Sequence, residues 1–213
     1  MAGQDGYELL REAIVRGDLS PNSRLIEADL CESFEMSRGA VRTALVRLEQ
    51  DGLVVREPNR GARVRHVSDQ EAVEILEARA ALEGLAAREA ARRIDEDGAE
   101  RLQACLNRHR ELLEAGDLLA ASDANAELHA TLLDISGHRT AKQLIRTLKS
   151  QTVRFQFRTI LIPGRAQASQ AEHQAIVELV LAGRPDDAER AMREHLLAVA
   201  RALAGRAPQV PPQ

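Results

Sequence analysis

The chain has 213 residues, 44% of them hydrophobic and 29% charged, with 2% aromatics and no tryptophan. That is ordinary for a globular protein of one large domain or of a small domain joined to a medium one, and no run approaches the ~18 apolar residues of a membrane span, which excludes a transmembrane chain. The net charge of −4 argues at first against nucleic acid.

With so few aromatics the core must be built from Leu, Ile, Val and Ala, which pack as helical stripes. The N-terminus carries Asp5 and Glu8 and has no apolar stretch of signal-peptide type. Cys31 and Cys105 show no pairing motif and read as reduced thiols of a cytoplasmic protein.

Tyr7 to Arg16 reads as a short helix stopped by Gly17, and Leu19-Ser-Pro-Asn22 as a turn. A second helix covers Glu27 to Phe34. Ser37 is placed to cap a third, running to about Gln50, with Val41, Leu45 and Leu48 facing inward and Gly52 ending it. The β-branched runs 53–56 and 62–65, separated by Glu57-Pro-Asn-Arg-Gly61, read as a hairpin. Three helices followed by a two-stranded ribbon predict a winged helix-turn-helix over residues 1–66.

The charge is unevenly spread across this region. Residues 1–36 hold three arginines against eight carboxylates, a net of −5, whereas residues 37–66 hold seven arginines against three, a net of +4. Basic charge therefore concentrates where a DNA-contacting element would need it. Arg38 and Arg42 lie one helical turn apart at the start of the third helix, and Arg60 and Gly61 lie at the hairpin tip.

Ser68-Asp-Gln-Glu71 is a capping box that opens a second, all-helical region. Helices are expected at about 69–93, 96–115, 117–136, 139–162, 166–182 and 185–204, separated by short Gly- and Pro-containing breaks. Short connections favour antiparallel neighbours, hence a bundle over residues 67–205. The tail 206–213 lacks an apolar stripe and is expected to be disordered. The fold class is mainly α.

Three histidines interrupt apolar stripes of this second region. His173 is followed by Ile176, Val177, Val180 and Leu181. His195 is flanked by Met192 and Val199, and His129 lies between Asn125 and Leu132-Leu133. All three rings are expected to face the interior, where a polar ring needs a partner, and three imidazoles converging there suit a divalent cation. Arg154, Arg158 and Arg79 are candidates to pair with a carboxylate, Arg158 lying nearer an inner stripe drawn through Leu144, Leu148 and Phe155. Arg79 is also four residues from Glu83, its natural ion-pair partner. His66, His109 and His138 lie on polar stretches or at joints and are expected to face solvent.

The first region resembles the winged-helix domain of the GntR family of bacterial transcription regulators. The resemblance rests on Ile14-Val-Arg-Gly17, Leu19-Ser-Pro21, Leu25-Ile-Glu27, Leu30, Ser37-Arg38, Val41-Arg42, Ala44-Leu45, Leu48-Glu49, Gly52-Leu53-Val54 and Arg60-Gly61. It departs from the usual pattern at Pro21-Asn22, where Pro-Gly is common, and at Gly39-Ala40, where Thr-Pro is common.

Residues 70–205 resemble the FCD effector domain of the family's FadR-like branch, through Arg79, Leu82-Glu83, Asn125, His129, Ser136-Gly137, Glu172-His173, Ile176, Gly183, Ala188 and His195-Leu196. A count of six rather than seven helices is closer to the VanR-like subgroup. The resemblance implies a metabolite-responsive regulator, usually a repressor, that acts as a homodimer on operator DNA. It implies DNA contacts from Ser37, Arg38, Arg42, Arg60, Gly61 and Arg24. It also implies a divalent transition metal (zinc first, nickel or manganese as alternatives) on Asn125, His129, His173 and His195, with a small organic acid as effector.

Two rivals stand beside this reading. Three histidines with an open position can activate water in a metalloenzyme, but the nearest acids fit poorly: Glu172 is expected to point about 100° around the helix from His173, and Glu127 does not share the face of His129. Alternatively the bundle only dimerises, its histidines hydrogen-bonded and metal-free.

Overall fold

The computed structural model describes residues 5–57 and 61–205, and within them the side chains of residues 15, 57, 150 and 152–158 are not described. The wing-tip residue Arg60, the side chains of Arg154, Phe155 and Arg158, and the tail 206–213 therefore lie outside the described residues. The chain divides into two compact units, Met1–Val67 with Lys149–Val153, and Ser68–Leu148 with Arg154–Gln213.

In the first unit, α1 (Gly6–Arg16) begins where the Asp5 carboxylate accepts from the Tyr7 amide and ends at Gly17, which takes the left-handed φ of 95°. Helix α2 spans Glu27–Ser33. Helix α3 (Arg38–Gln50) is capped by Ser37, whose hydroxyl accepts from Ala40 N at 3.2 Å. Val41, Ala44, Leu45 and Leu48 recur at helical spacing and are all buried, packing with Leu10, Ile14 and Leu30 into one apolar core.

The sheet holds one more strand than the sequence suggested. Strands β2 (Val54–Glu57) and β3 (Gly61–Val64) pair antiparallel as a hairpin, one residue displaced from the expected runs. The two-residue β1 (Arg24–Leu25) adds to the other edge of β3, giving the order β1-β3-β2. A strand so short leaves no alternation to read. Its register follows from the turn before it: Asn22 sits at φ 63°, doing without strain what glycine commonly does there, and its amide donates to Val64 O at 2.9 Å.

The second unit contains six helices among the described residues: α4 (Asp69–Arg93), α5 (Glu96–Glu114), α6 (Leu118–Ser136), α7 (Arg139–Ile160), α8 (Arg165–Leu181) and α9 (Pro185–Ala204). Ser68 caps α4 as the capping box required. Helix α4 packs along α9 and also meets α6 and α8, while α5 packs on α6 and α8. None of the described helices is long and apolar enough to cross a membrane.

Small residues make the α4–α9 contact close. Ala80, Gly84, Ala87 and Ala91 lie on one buried face of α4, and a Cβ at Gly84 would stand 2.6 Å from Arg193 Cγ and 3.2 Å from the Glu189 carbonyl. A single methyl meets the flexible Arg193 stem, which can swing aside. A leucine has no such escape, because the Glu189 backbone stands behind. Gly84→Leu is expected to cost about 1–3 kcal/mol, the usual range for overpacking, with Gly84→Ala much milder. Thermal melting of the two variants checks this ordering.

Two expectations fail here. Leu144 is 49% exposed, and among the described side chains of α7 the buried ones are Ala141 and Ile145, with Leu148 half-buried on the same face, so the stripe passes through Ile145 rather than Leu144. Large leucines attracted the assignment where a small alanine marks the true packing face. His109 is the second failure and belongs to the site.

Candidate metal centre and nucleic-acid interface

The basic end of the first unit is arranged for contact rather than for packing. Arg38 and Arg42 are both exposed and lie one turn apart on the opening of α3, a helix whose opposite face is committed to the core. The Arg42 Nε donates to Glu27 Oε2 at 2.8 Å, a solvent-exposed pair that joins α3 to the start of α2. Gly39 and Gly61 have open space where a Cβ would be, so a close approach at either meets no obstacle from the protein. Arg24 is exposed on β1, and Arg63 donates to Asn22 Oδ1 at 2.6 Å.

In the second unit the sequence-predicted ligands come together. Helix α6 presents His129, α8 presents His173 and α9 presents His195, all buried, and one ring nitrogen of each lies within 4.8 Å of the others. The Nε2 atoms of His173 and His195 stand 3.2 Å apart. Nitrogens bound to a shared tetrahedral ion at about 2.0–2.1 Å each stand roughly 3.3 Å from one another, so this separation fits a shared cation.

One buried polar atom supports the same reading, because it has no protein partner: Asn125 Oδ1. Asn125 lies one helical turn before His129, and a buried amide oxygen without a donor is costly unless something else takes its lone pairs. Three imidazoles form a donor set of borderline softness, suited to zinc and its neighbours. Burial first, and then the nearby imidazoles of His195 and His129, hold His173 well below the ordinary histidine range, so it is neutral and its ring nitrogen is available as a ligand.

Acids and arginines back these histidines, and of them only Arg165 went unremarked in the sequence. His129 Nδ1 donates to Glu83 Oε2 at 2.6 Å, and Arg79 Nε donates to Glu83 Oε1 at 2.8 Å, as its spacing from Glu83 foretold. His195 Nδ1 donates to Glu172 Oε2 at 2.6 Å. Arg165 clamps the same carboxylate, Nη1 to Oε1 at 2.9 Å and Nη2 to Oε2 at 2.5 Å. Burial opposes ionisation of Glu172, yet the bonds from His195 and Arg165 outweigh it and draw the group down to about 2.

Glu172 does turn away from His173, as expected, but it turns onto the back of His195. An ionised carboxylate occupied by two donors is poorly placed to serve as a general base.

His109 was expected to face solvent, and the structure overturns this. It is 3% exposed, its Nδ1 bonds Gln170 Oε1 at 2.6 Å, and its ring packs edge-on against His173 with centroids 5.4 Å apart. Its neighbours in sequence, Arg108 and Arg110, hid it, because a single polar residue between two arginines reads as surface. The spacing signal was nevertheless present: Leu102, Leu106 and His109 share one buried face of α5. His66 is exposed as expected, and His138 caps α7 by accepting from Ala141 N at 3.2 Å. Cys31 and Cys105 are free.

Comparison with known proteins agrees with this geometry at the level of family. Residues 4–64 match the bacterial regulatory proteins of the gntR family, and residues 74–198 match the FCD domain. The chain is 29% identical over 207 residues to the HTH-type transcriptional repressor GlaR of Escherichia coli strain K12, covering 91% of each chain. It is 29% identical over 214 residues to the HTH-type transcriptional regulator LutR of Bacillus subtilis strain 168, covering 90% of this chain and 96% of that one. Among solved structures, E. coli McbR/YncC shares the fold with a TM-score of 0.80 at 20% identity, covering 97% of this chain and 99% of that one. A putative GntR regulator from Rhodococcus sp. RHA1 does so with 0.74 at 22%, covering 94% and 96%. With a winged helix-turn-helix unit followed by a matching six-helix bundle, the chain belongs to the GntR family of transcriptional regulators, carries an FCD domain and is not an enzyme.

Proposed function

We propose that this regulator is a metabolite-responsive repressor that works as a homodimer on double-stranded operator DNA in the cytoplasm, residues 1–66 binding the DNA and 67–205 sensing. Ser37, Arg38 and Arg42 enter the major groove from the start of α3, where recognition-helix residues reach base edges, while Arg24 and the Arg60-Gly61 wing tip contact the backbone or minor groove. The sensing half binds a divalent transition metal, zinc first and nickel or manganese as alternatives, through His129, His173, His195 and Asn125. The observation that carries this is the convergence of three buried imidazoles within 4.8 Å of one another, with the unpartnered amide oxygen of Asn125 one helical turn before His129.

Asn125 also supports the effector class. As a neutral ligand, Asn125 leaves the centre more positive, and its grip on the cation weaker, than a carboxylate there would. A small organic acid then completes the shell, its far end paired with Arg154, Arg158 or the part of Arg79 not engaged by Glu83. Coupling of about 1–3 kcal/mol between effector and operator sites would change occupancy roughly 5- to 150-fold.

Elemental analysis after mild chelation, with and without a panel of small carboxylates, tests this. The cation should be lost without acid and kept with the right one. Asn125→Asp should keep it in both cases. Stoichiometric metal that resists chelation in the native protein with no acid present would contradict the effector's role as completing ligand.

A further inference from the structure

Two chains of polar contacts in the helical unit end on candidate ligands from behind. The first runs Arg79–Glu83–His129 and joins α4 to α6. The second runs Arg165–Glu172–His195 and joins α8 to α9. In each, one carboxylate receives a guanidinium on one side and an imidazole Nδ1 on the other.

The chemistry of the donors fixes where the proton sits. Guanidinium cannot accept and an ionised carboxylate cannot donate, so the hydrogen between Glu and His belongs to Nδ1. The other ring nitrogen, Nε2, is left with its lone pair, and in His195 that is the atom 3.2 Å from His173 Nε2. His173 has no such support. Its Nδ1 is unpartnered, and its ring is held edge-on between those of His109 and His129.

We propose that Glu83 with Arg79, and Glu172 with Arg165, are positioning pairs that fix the tautomer and aim of His129 and His195 and thereby set the affinity of the centre for a divalent cation. This rests on the reading of the three histidines as ligands. The two pairs differ in access. Glu83 is 2% exposed and sealed between helices, whereas Glu172 is 30% exposed, so the Arg165–Glu172 pair is the adjustable one of the two.

The test uses the full-length protein titrated with Co²⁺, whose absorption bands report ligand geometry, with Zn²⁺ competition giving relative affinity and ¹⁵N NMR giving the His195 tautomer. Loss of a group behind a ligating histidine typically weakens metal binding about 10- to 100-fold. Glu172→Gln, which keeps the size and one acceptor but loses the charge, should fall in that range with its melting profile retained. Arg165→Gln should weaken binding less, with Arg165→Lys recovering part of the loss, and exposed Glu178→Gln should change nothing.

If Glu172→Gln does not fold, the Arg165 pair of variants together with the native tautomer decides the matter. A native protein that binds Co²⁺, with Glu172→Gln or Arg165→Gln matching it in affinity and tautomer, overturns the positioning role alone. A native protein that takes up neither Co²⁺ nor Zn²⁺ overturns the metal reading and this proposal together.

Discussion

Replacing Arg38 and Arg42 together with alanine is expected to lower affinity for the specific operator by roughly 10²- to 10⁴-fold, from two base contacts each worth about 1–3 kcal/mol. The fold should survive, because both side chains are exposed while α3 is anchored by Val41, Ala44, Leu45 and Leu48 on its other face. The Arg42–Glu27 pair does not compete seriously with DNA. Exposed ion pairs contribute about 0–1 kcal/mol, less than a bidentate contact with guanine, so Arg42 can leave Glu27 when a base edge is offered.

The measurement is anisotropy on an operator selected from genomic DNA by the native protein, repeated on unrelated DNA across a salt series. If these arginines read bases, the variant loses the difference between the two DNAs. If they touch only phosphate, both affinities fall together and the salt slope drops by about one per arginine. Unchanged operator affinity would remove α3 from the recognition role.

The second large effect is expected from the metal. With free Zn²⁺ a thousandfold above Kd, binding to the folded state alone adds about 4.1 kcal/mol. For a unit of this size that corresponds to a rise in melting temperature of roughly 8–16 °C. Chelation should reverse it. His173→Ala should abolish the metal-dependent part, since its ring nitrogen lies 3.2 Å from that of His195 and it supplies one of the three clustered imidazoles. The variant also starts lower, because a fully buried ring leaves a cavity. The informative quantity is therefore the difference with and without metal. Equal melting temperatures for the native protein in Zn²⁺ and in chelator would leave the three histidines as a hydrogen-bonded core.

Much of this molecule was legible because local rules agreed with the global fold. Ser37 and Ser68 announced their helices through capping chemistry, and glycines and prolines mark the later bundle breaks, whereas Asp97-Gly98, expected as the first break, lies inside α5, which the Asp95 cap opens instead. The three clustered histidines were legible for a related reason: a polar ring in an apolar stripe is an inconsistency, and inconsistencies cluster at sites.

What stayed hidden had no such contrast. Glu83 and Glu172 stood out in sequence only as the ion-pair partner of Arg79 and the neighbour of His173, and their contacts with His129 and His195 exist only when a second helix brings an imidazole to them. Arg165 opens α8 after a Pro-Gly break, where a basic residue passes for solvent-facing. His109 was masked by its charged neighbours, and β1 by its length. Tertiary contact, not local pattern, assigns these residues.

The narrow seam between α4 and α9 lies against the three-histidine cluster. Glu83, which steadies His129, is the immediate neighbour of Gly84, and His195 lies two residues after Arg193, whose stem fills the space over that glycine. The close contact at Gly84 thus adjoins two of the three clustered histidines. A cation that pulled on either imidazole would be expected to move α4 and α9 together, with little slack between them.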